Sequence, residues 1–86
     1  MLKFARETFK NNSELSKDAS HLLNEVVKGN INPGSGSAPI YKNIHELRSK
    51  KGARVYFRNT KDGIEVLDYS KKSNQDNVIN YLKSIY

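Results

Sequence analysis

An α+β domain with an antiparallel sheet is the fold class this sequence predicts: two helices, a sheet of about three to four strands, and a closing helix. Three observations carry it. Leu15, Ala19, Leu22, Leu23, Val26 and Val27 recur at helical spacing. Residues 44–58 read as two short alternating strands around Gly52, and Asp62-Gly63 follows as a second hairpin signal. Val78, Leu82 and Ile85 then recur at helical spacing near the end.

In chain order, residues 1–10 suit a short helix with Leu2, Ala5 and Phe9 on one face and Phe4 beside them. Met-Leu-Lys-Phe also suits a strand. Asn11-Asn12-Ser13 breaks the pattern and supplies capping residues. The strongest helix, 16–28, starts at a Ser13 or Ser16 cap and stops at Gly29, which tolerates the left-handed conformation. His21 falls off its apolar stripe, as a surface histidine would. Residues 30–39 hold two prolines and two glycines, which exclude a regular element and predict a loop. Its backbone N–H groups around Gly34 and Gly36 suit an anion, but the spacing matches no phosphate-loop motif, so a connector is expected.

Residues 40–48 return to strand character. Ser49-Lys50-Lys51-Gly52 makes the turn, and the next strand places Ala53, Val55 and Phe57 opposite Arg54, Tyr56 and Arg58. In the strand before it, Glu46 and Arg48 share one face, His45 and Leu47 the other. In the strand 64–69, Ile64 and Val66 face one way and Glu65, Leu67 and Tyr69 the other, which is the pattern of a strand covered on both sides. Ser73 or Asn74 caps a last helix over 75–86.

Eighty-six residues make one domain, 1–86, with a modest core. Fifteen Lys and Arg against nine Asp and Glu leave a formal charge of +6, which favours nucleic acid or another acidic partner. The absence of cysteine excludes disulfides and thiolate metal sites. With only His21 and His45, no metal site is expected, and no cofactor. No stretch is long and apolar enough for a membrane span.

The chemistry-bearing residues are cationic and phenolic. Arg48, Arg54, Tyr56, Arg58, Lys61, Tyr69, Lys71 and Lys72 lie on or beside adjacent strands, with Lys50 and Lys51 in the turn. Two arginines and a tyrosine on one strand face offer charge for phosphates and a ring for a base. Such groups suit RNA cleavage without metal, in which the 2′-hydroxyl attacks the neighbouring phosphorus. Arg54 and Arg58 would stabilise the phosphoryl charge, Tyr56 would stack or relay a proton, and Lys71 or Lys72 would act at the attacking or leaving oxygen. Glu46 and His45 are candidate bases, although His45 shares the face of Leu47 and is expected to be packed. The competing reading of this hairpin is an ordinary amphipathic one with a solvated polar face.

Ile44-His-Glu-Leu-Arg48, Gly52-Ala-Arg-Val-Tyr-Phe-Arg58, Ile64-Glu-Val-Leu-Asp-Tyr-Ser-Lys-Lys72 and the closing helix together resemble the RelE/ParE toxin superfamily. The resemblance spans residues 42–86, about half the chain. The helix before it and the loop Gly-Asn-Ile-Asn-Pro-Gly look like carboxy-terminal segments of phage-encoded or polymorphic-toxin proteins. The family usually opens with a strand, for which residues 1–4 are the candidate. The resemblance implies an endoribonuclease, free or ribosome-associated, or a gyrase-directed toxin. It also implies a cytoplasmic site of action and neutralisation by an acidic antitoxin or immunity protein. A non-catalytic gyrase inhibitor and a structural phage module with a basic binding face are the alternatives to an RNA-cleaving toxin.

Overall fold

The computed structural model describes residues 4–10, 12–28 and 37–86. Helix α1 (Ala5–Phe9) and helix α2 (Ser13–Val27) precede strands β1 (Ser37–Tyr41), β2 (Ile44–Arg48), β3 (Arg54–Thr60) and β4 (Gly63–Ser70). A 3-10 turn (Lys72–Asn74) leads into helix α3 (Gln75–Ile85). The strands form one antiparallel sheet in the order β1-β2-β3-β4, so the α+β architecture is as expected, with four strands. No helix among the described residues is long and apolar enough to cross a membrane.

Both faces of the sheet are covered. On one, Leu15, Ala19 and Leu22 of α2 pack against Leu47, Val55 and Phe57. On the other, Val78 and Leu82 of α3 pack against Ile44, Tyr56 and Leu67. The strict alternation of β2 and β3 therefore sorts residues between two helices, not between core and water. Helix α1 lies along β4. Phe4 N–H donates to both oxygens of the buried Asp68, at 3.1 and 3.2 Å, and Thr8 Oγ1 donates to the Tyr69 carbonyl at 3.2 Å. Phe9 meets Tyr69 edge-on at 5.0 Å. The fully buried residue of α1 is Thr8, while Ala5 and Phe9 are half-buried.

Several local expectations are corrected. Helix α2 starts earlier than residue 16, because Asn12 is its cap: Asn12 Oδ1 accepts from Leu15 N–H at 3.0 Å. The expected loop 30–39 ends in strand, since Ser37, Ala38 and Pro39 pair with Leu47, Glu46 and His45. Pro39 is tolerated there because β1 is an edge strand and need not donate on its outer side. The expected strand 40–48 is two strands, broken at Lys42-Asn43, with Lys42 at φ 49°. The turns at Gly52 and Gly63 are where they were expected, both glycines with positive φ.

In β4 the pairing slips between Tyr56 and Phe57, so Phe57 pairs with Val66 and Tyr56 with Asp68. The extra residue reverses the facing of everything after it. Tyr69 thus joins Ile64 and Val66 on the α2 face, while Leu67 packs under α3. Asn74 stands at the start of α3 but makes no side-chain cap bond. Its Oδ1 accepts from Lys71 N–H at 2.8 Å and its Nδ2 donates to Thr8 Oγ1 at 3.2 Å. Ile85, expected on the apolar stripe, is 51% exposed at the helix end. The amino-terminal strand proposed for 1–4, the position of Leu2, the Gly29 stop and the Gly34–Gly36 nest fall wholly or in part outside the described residues. Phe4 itself is helical in φ and ψ.

Candidate functional site

The chemistry-bearing residues divide between the two ends of the sheet. Register places Arg48, Arg54 and Ser70 side by side across β2, β3 and β4, with Glu46, Tyr56 and Asp68 in the next row. All six lie at the end where the Lys50-Lys51 turn, Lys71 and Lys72 also lie. Arg58 is four residues further along β3, about 13 Å away at the rise of a strand. It pairs with Glu65 at 2.5 Å and sits over the Tyr86 ring at 5.0 Å, so it does not join Arg54. Lys61 is exposed in the turn beyond it.

Three more residues are engaged away from the Arg54 group, of which only Tyr69 has left the face expected for it. Tyr69 is on the α2 face, against Phe9. His45 is on that face too, stacked on Phe57 at 5.5 Å, which fits the packed role expected of it and removes it as a base beside Arg54. Lys51 is partly engaged with α2, its Nζ 3.4 Å from Glu14 and its N–H donating to Asp18 at 3.3 Å. Lys50 and Lys72 are exposed, and Lys71 is half-buried.

Tyr56 is 0% exposed and cannot stack a base. Its hydroxyl donates to Glu46 Oε2 at 2.7 Å and is 2.8 Å from Ser70 Oγ. Burial raises its pKa far above that of a free phenol. The hydrogen bond to Glu46 and its charge add to this, while Ser70 and Arg54 oppose it. Tyr56 is therefore a protonated donor near neutral pH, not a base. Glu46 is 5% exposed and is met by Tyr56, by Gln75 Nε2 at 2.9 Å and by Arg48 Nη2 at 3.5 Å. These contacts offset the cost of holding a carboxylate out of water.

Arg54 has no such compensation. It is 6% exposed, its Nη1 donates to the Gly52 carbonyl at 3.0 Å, and its Nε is buried without a partner. No carboxylate pairs with it among the described residues. A buried guanidinium lacking a counter-charge is costly, and an anion arriving at this end of the sheet would lower that cost.

Ser70 and Gln75 escape a reading of the sequence. Ser70 reaches the Tyr56 hydroxyl only because of the bulge in β4. Gln75 is 29 residues from Glu46, and nothing in a helix's first residue announces a partner that distant. No family model, curated protein or solved structure matches the chain.

Proposed function

We propose that the chain is an RNA-cleaving toxin of RelE/ParE type that acts in the cytoplasm and is neutralised by an acidic antitoxin or immunity protein. The observation that carries this reading is Arg54: a buried guanidinium without a carboxylate among the described residues, in register with Arg48 at the end of the sheet where Lys71 and Lys72 follow β4. A phosphodiester supplies the missing anion. The order of motifs over residues 42–86 supports the same reading.

In this mechanism Glu46 takes the proton of the 2′-hydroxyl, and the 2′-oxygen attacks the adjacent phosphorus. The bond from phosphorus to the 5′-oxygen breaks, leaving a 2′,3′-cyclic phosphate that water opens to a 3′-phosphate. Arg54 and Arg48 stabilise the charge on the phosphoryl oxygens. Lys71 or Lys72 protonates the leaving 5′-oxygen. Tyr56 holds Glu46 instead of stacking a base, and Arg58 and Lys61 at the far end guide the rest of the strand. Glu46 is favoured over His45 because it shares the face of Arg54.

The test is incubation of the pure domain with RNA in EDTA, with and without ribosomes. Wild type should cleave, and Arg54→Ala should lose roughly 10²–10³ in rate while remaining folded. A DNA of the same sequence should stay intact, since it has no 2′-hydroxyl. Intact RNA with folded wild type, in solution and with ribosomes, would sink the ribonuclease reading.

A further inference from the structure

Three groups converge on Glu46, and they divide its two oxygens unequally. Tyr56 and Gln75 both donate to Oε2, at 2.7 and 2.9 Å. Oε1 meets only Arg48 Nη2 among the described residues, at 3.5 Å. A phenol has one hydrogen, and that of Tyr56 goes to the carboxylate. The 2.8 Å contact between Tyr56 and Ser70 must therefore be donated by the Ser70 hydroxyl. A directed chain of donors runs from β4 through β3 to Oε2 on β2, and α3 closes it from the other side.

The holders of Oε2 are buried or anchored by their element, whereas the cover of Oε1 is exposed. Tyr56 and Ser70 are fully buried. Gln75 is the first residue of α3, directly after the turn that Asn74 ties to Lys71 and Thr8. The Arg48 side chain, by contrast, is 50% exposed. It sits opposite the buried Arg54 in register.

We infer that Gln75 is a positioning residue for Glu46: with Tyr56 it holds Oε2, so that Oε1 accepts the 2′-hydroxyl proton once a phosphate draws Arg48 away. This rests on the ribonuclease reading and adds to it a residue and an order of events. An exposed guanidinium exchanges a single 3.5 Å contact for a two-pronged one with a phosphoryl oxygen pair. Oε1 is then uncovered as the nucleophile arrives. The 2′-proton passes to Oε1, the bond from the 2′-oxygen to phosphorus forms, the bond to the 5′-oxygen breaks, and that oxygen takes its proton from Lys71 or Lys72. A carboxylate free to turn would spend much of its time misaligned, which costs rate without costing binding.

The experiment is single-turnover cleavage of an RNA oligonucleotide in EDTA, alongside anisotropy with the uncleavable 2′-deoxy analogue. Gln75→Leu should slow cleavage roughly tenfold to a hundredfold, the factor carried by a hydrogen bond to a charged group, and leave the Kd for the analogue unchanged. In a Glu46→Ala background the same substitution should slow the residual rate no further. Should Gln75→Leu not fold by circular dichroism, Gln75→Glu replaces it. A carboxylate suits the first turn of a helix, yet it repels Glu46, so the same loss is expected. Undiminished cleavage, equal slowing in both backgrounds, or a loss explained by a weaker Kd would each overturn the inference while leaving the ribonuclease reading standing. A wild type inert towards RNA would overturn both.

Discussion

Replacing Tyr56 by Phe removes one oxygen from the middle of the buried network and leaves the ring. The hydroxyl makes a 2.7 Å hydrogen bond to a carboxylate and receives one of 2.8 Å from Ser70. A hydrogen bond to a charged group contributes about 1.5–3 kcal/mol, and a neutral one about 1 kcal/mol. The ring keeps its packing against Ile44, Leu67, Val78 and Leu82, so no cavity term is added. The expected loss is therefore about 2–4 kcal/mol. A chain of this length holds roughly 4–13 kcal/mol in all, at 0.05–0.15 kcal/mol per residue. With a urea slope of about 1–1.5 kcal/mol/M, the unfolding midpoint should fall by roughly 2 M. Tyr69→Phe is the control. Its hydroxyl has no hydrogen-bond partner among the described residues, and the change should stay within about 0.5 kcal/mol. Equal midpoints for wild type and Tyr56→Phe would refute the claim that this network stabilises the fold.

The same phenol predicts a pH dependence. Its folded pKa is raised above the ordinary value of about 10, so its contribution is complete below pH ~10 and is lost as pH rises above it. Urea midpoints should fall across that alkaline range in wild type, and less steeply in Tyr56→Phe. Asn12→Ala should cost about 1 kcal/mol in urea unfolding and Ser16→Ala far less, since the cap bond comes from Asn12. Leu22, 3% exposed beneath the sheet, should cost roughly 2–5 kcal/mol when cut to Ala. RNA affinity should fall steeply with salt, and charge reversal at Arg48 should weaken it more than reversal at Lys83, which is exposed near the end of α3. Equal effects at the two positions would leave only a diffuse attraction by the net charge.

The alternation along β3 was legible in the sequence, but what covers each face was not. Arg54 and Tyr56 read as a solvated face because charge normally marks solvent. Yet the described residues carry two long amphipathic helices, α2 and α3, and one sheet. Once Leu15, Ala19 and Leu22 cover the Val55 face, the stripe of Val78 and Leu82 has only the Tyr56 face left. The polar residues there must then satisfy one another, which is how Glu46, Tyr56, Ser70 and Gln75 come together. Arg54 is the member that this closure leaves with no carboxylate among the described residues and with its Nε unpaired.

The bulge in β4 decides which side chains share that closed space. From Thr60↔Gly63 to Phe57↔Val66 the pairing is regular. Continued without a slip, it would set Tyr69 opposite Arg54 and on the same face, and carry Ser70 past the row. One extra residue instead sets Ser70 opposite Arg54 and sends Tyr69 to the α2 face, where it meets Phe9. A bulky phenol is thereby exchanged for a small hydroxyl beside Tyr56. The small one hydrogen-bonds the Tyr56 hydroxyl at 2.8 Å. Strict alternation cannot announce such a slip, because period 2 is what the bulge breaks. The visible trace is that Ile64, Val66, Leu67 and Tyr69 place apolar groups on both faces of one strand. That trace reads equally as burial on both sides, and here both readings hold.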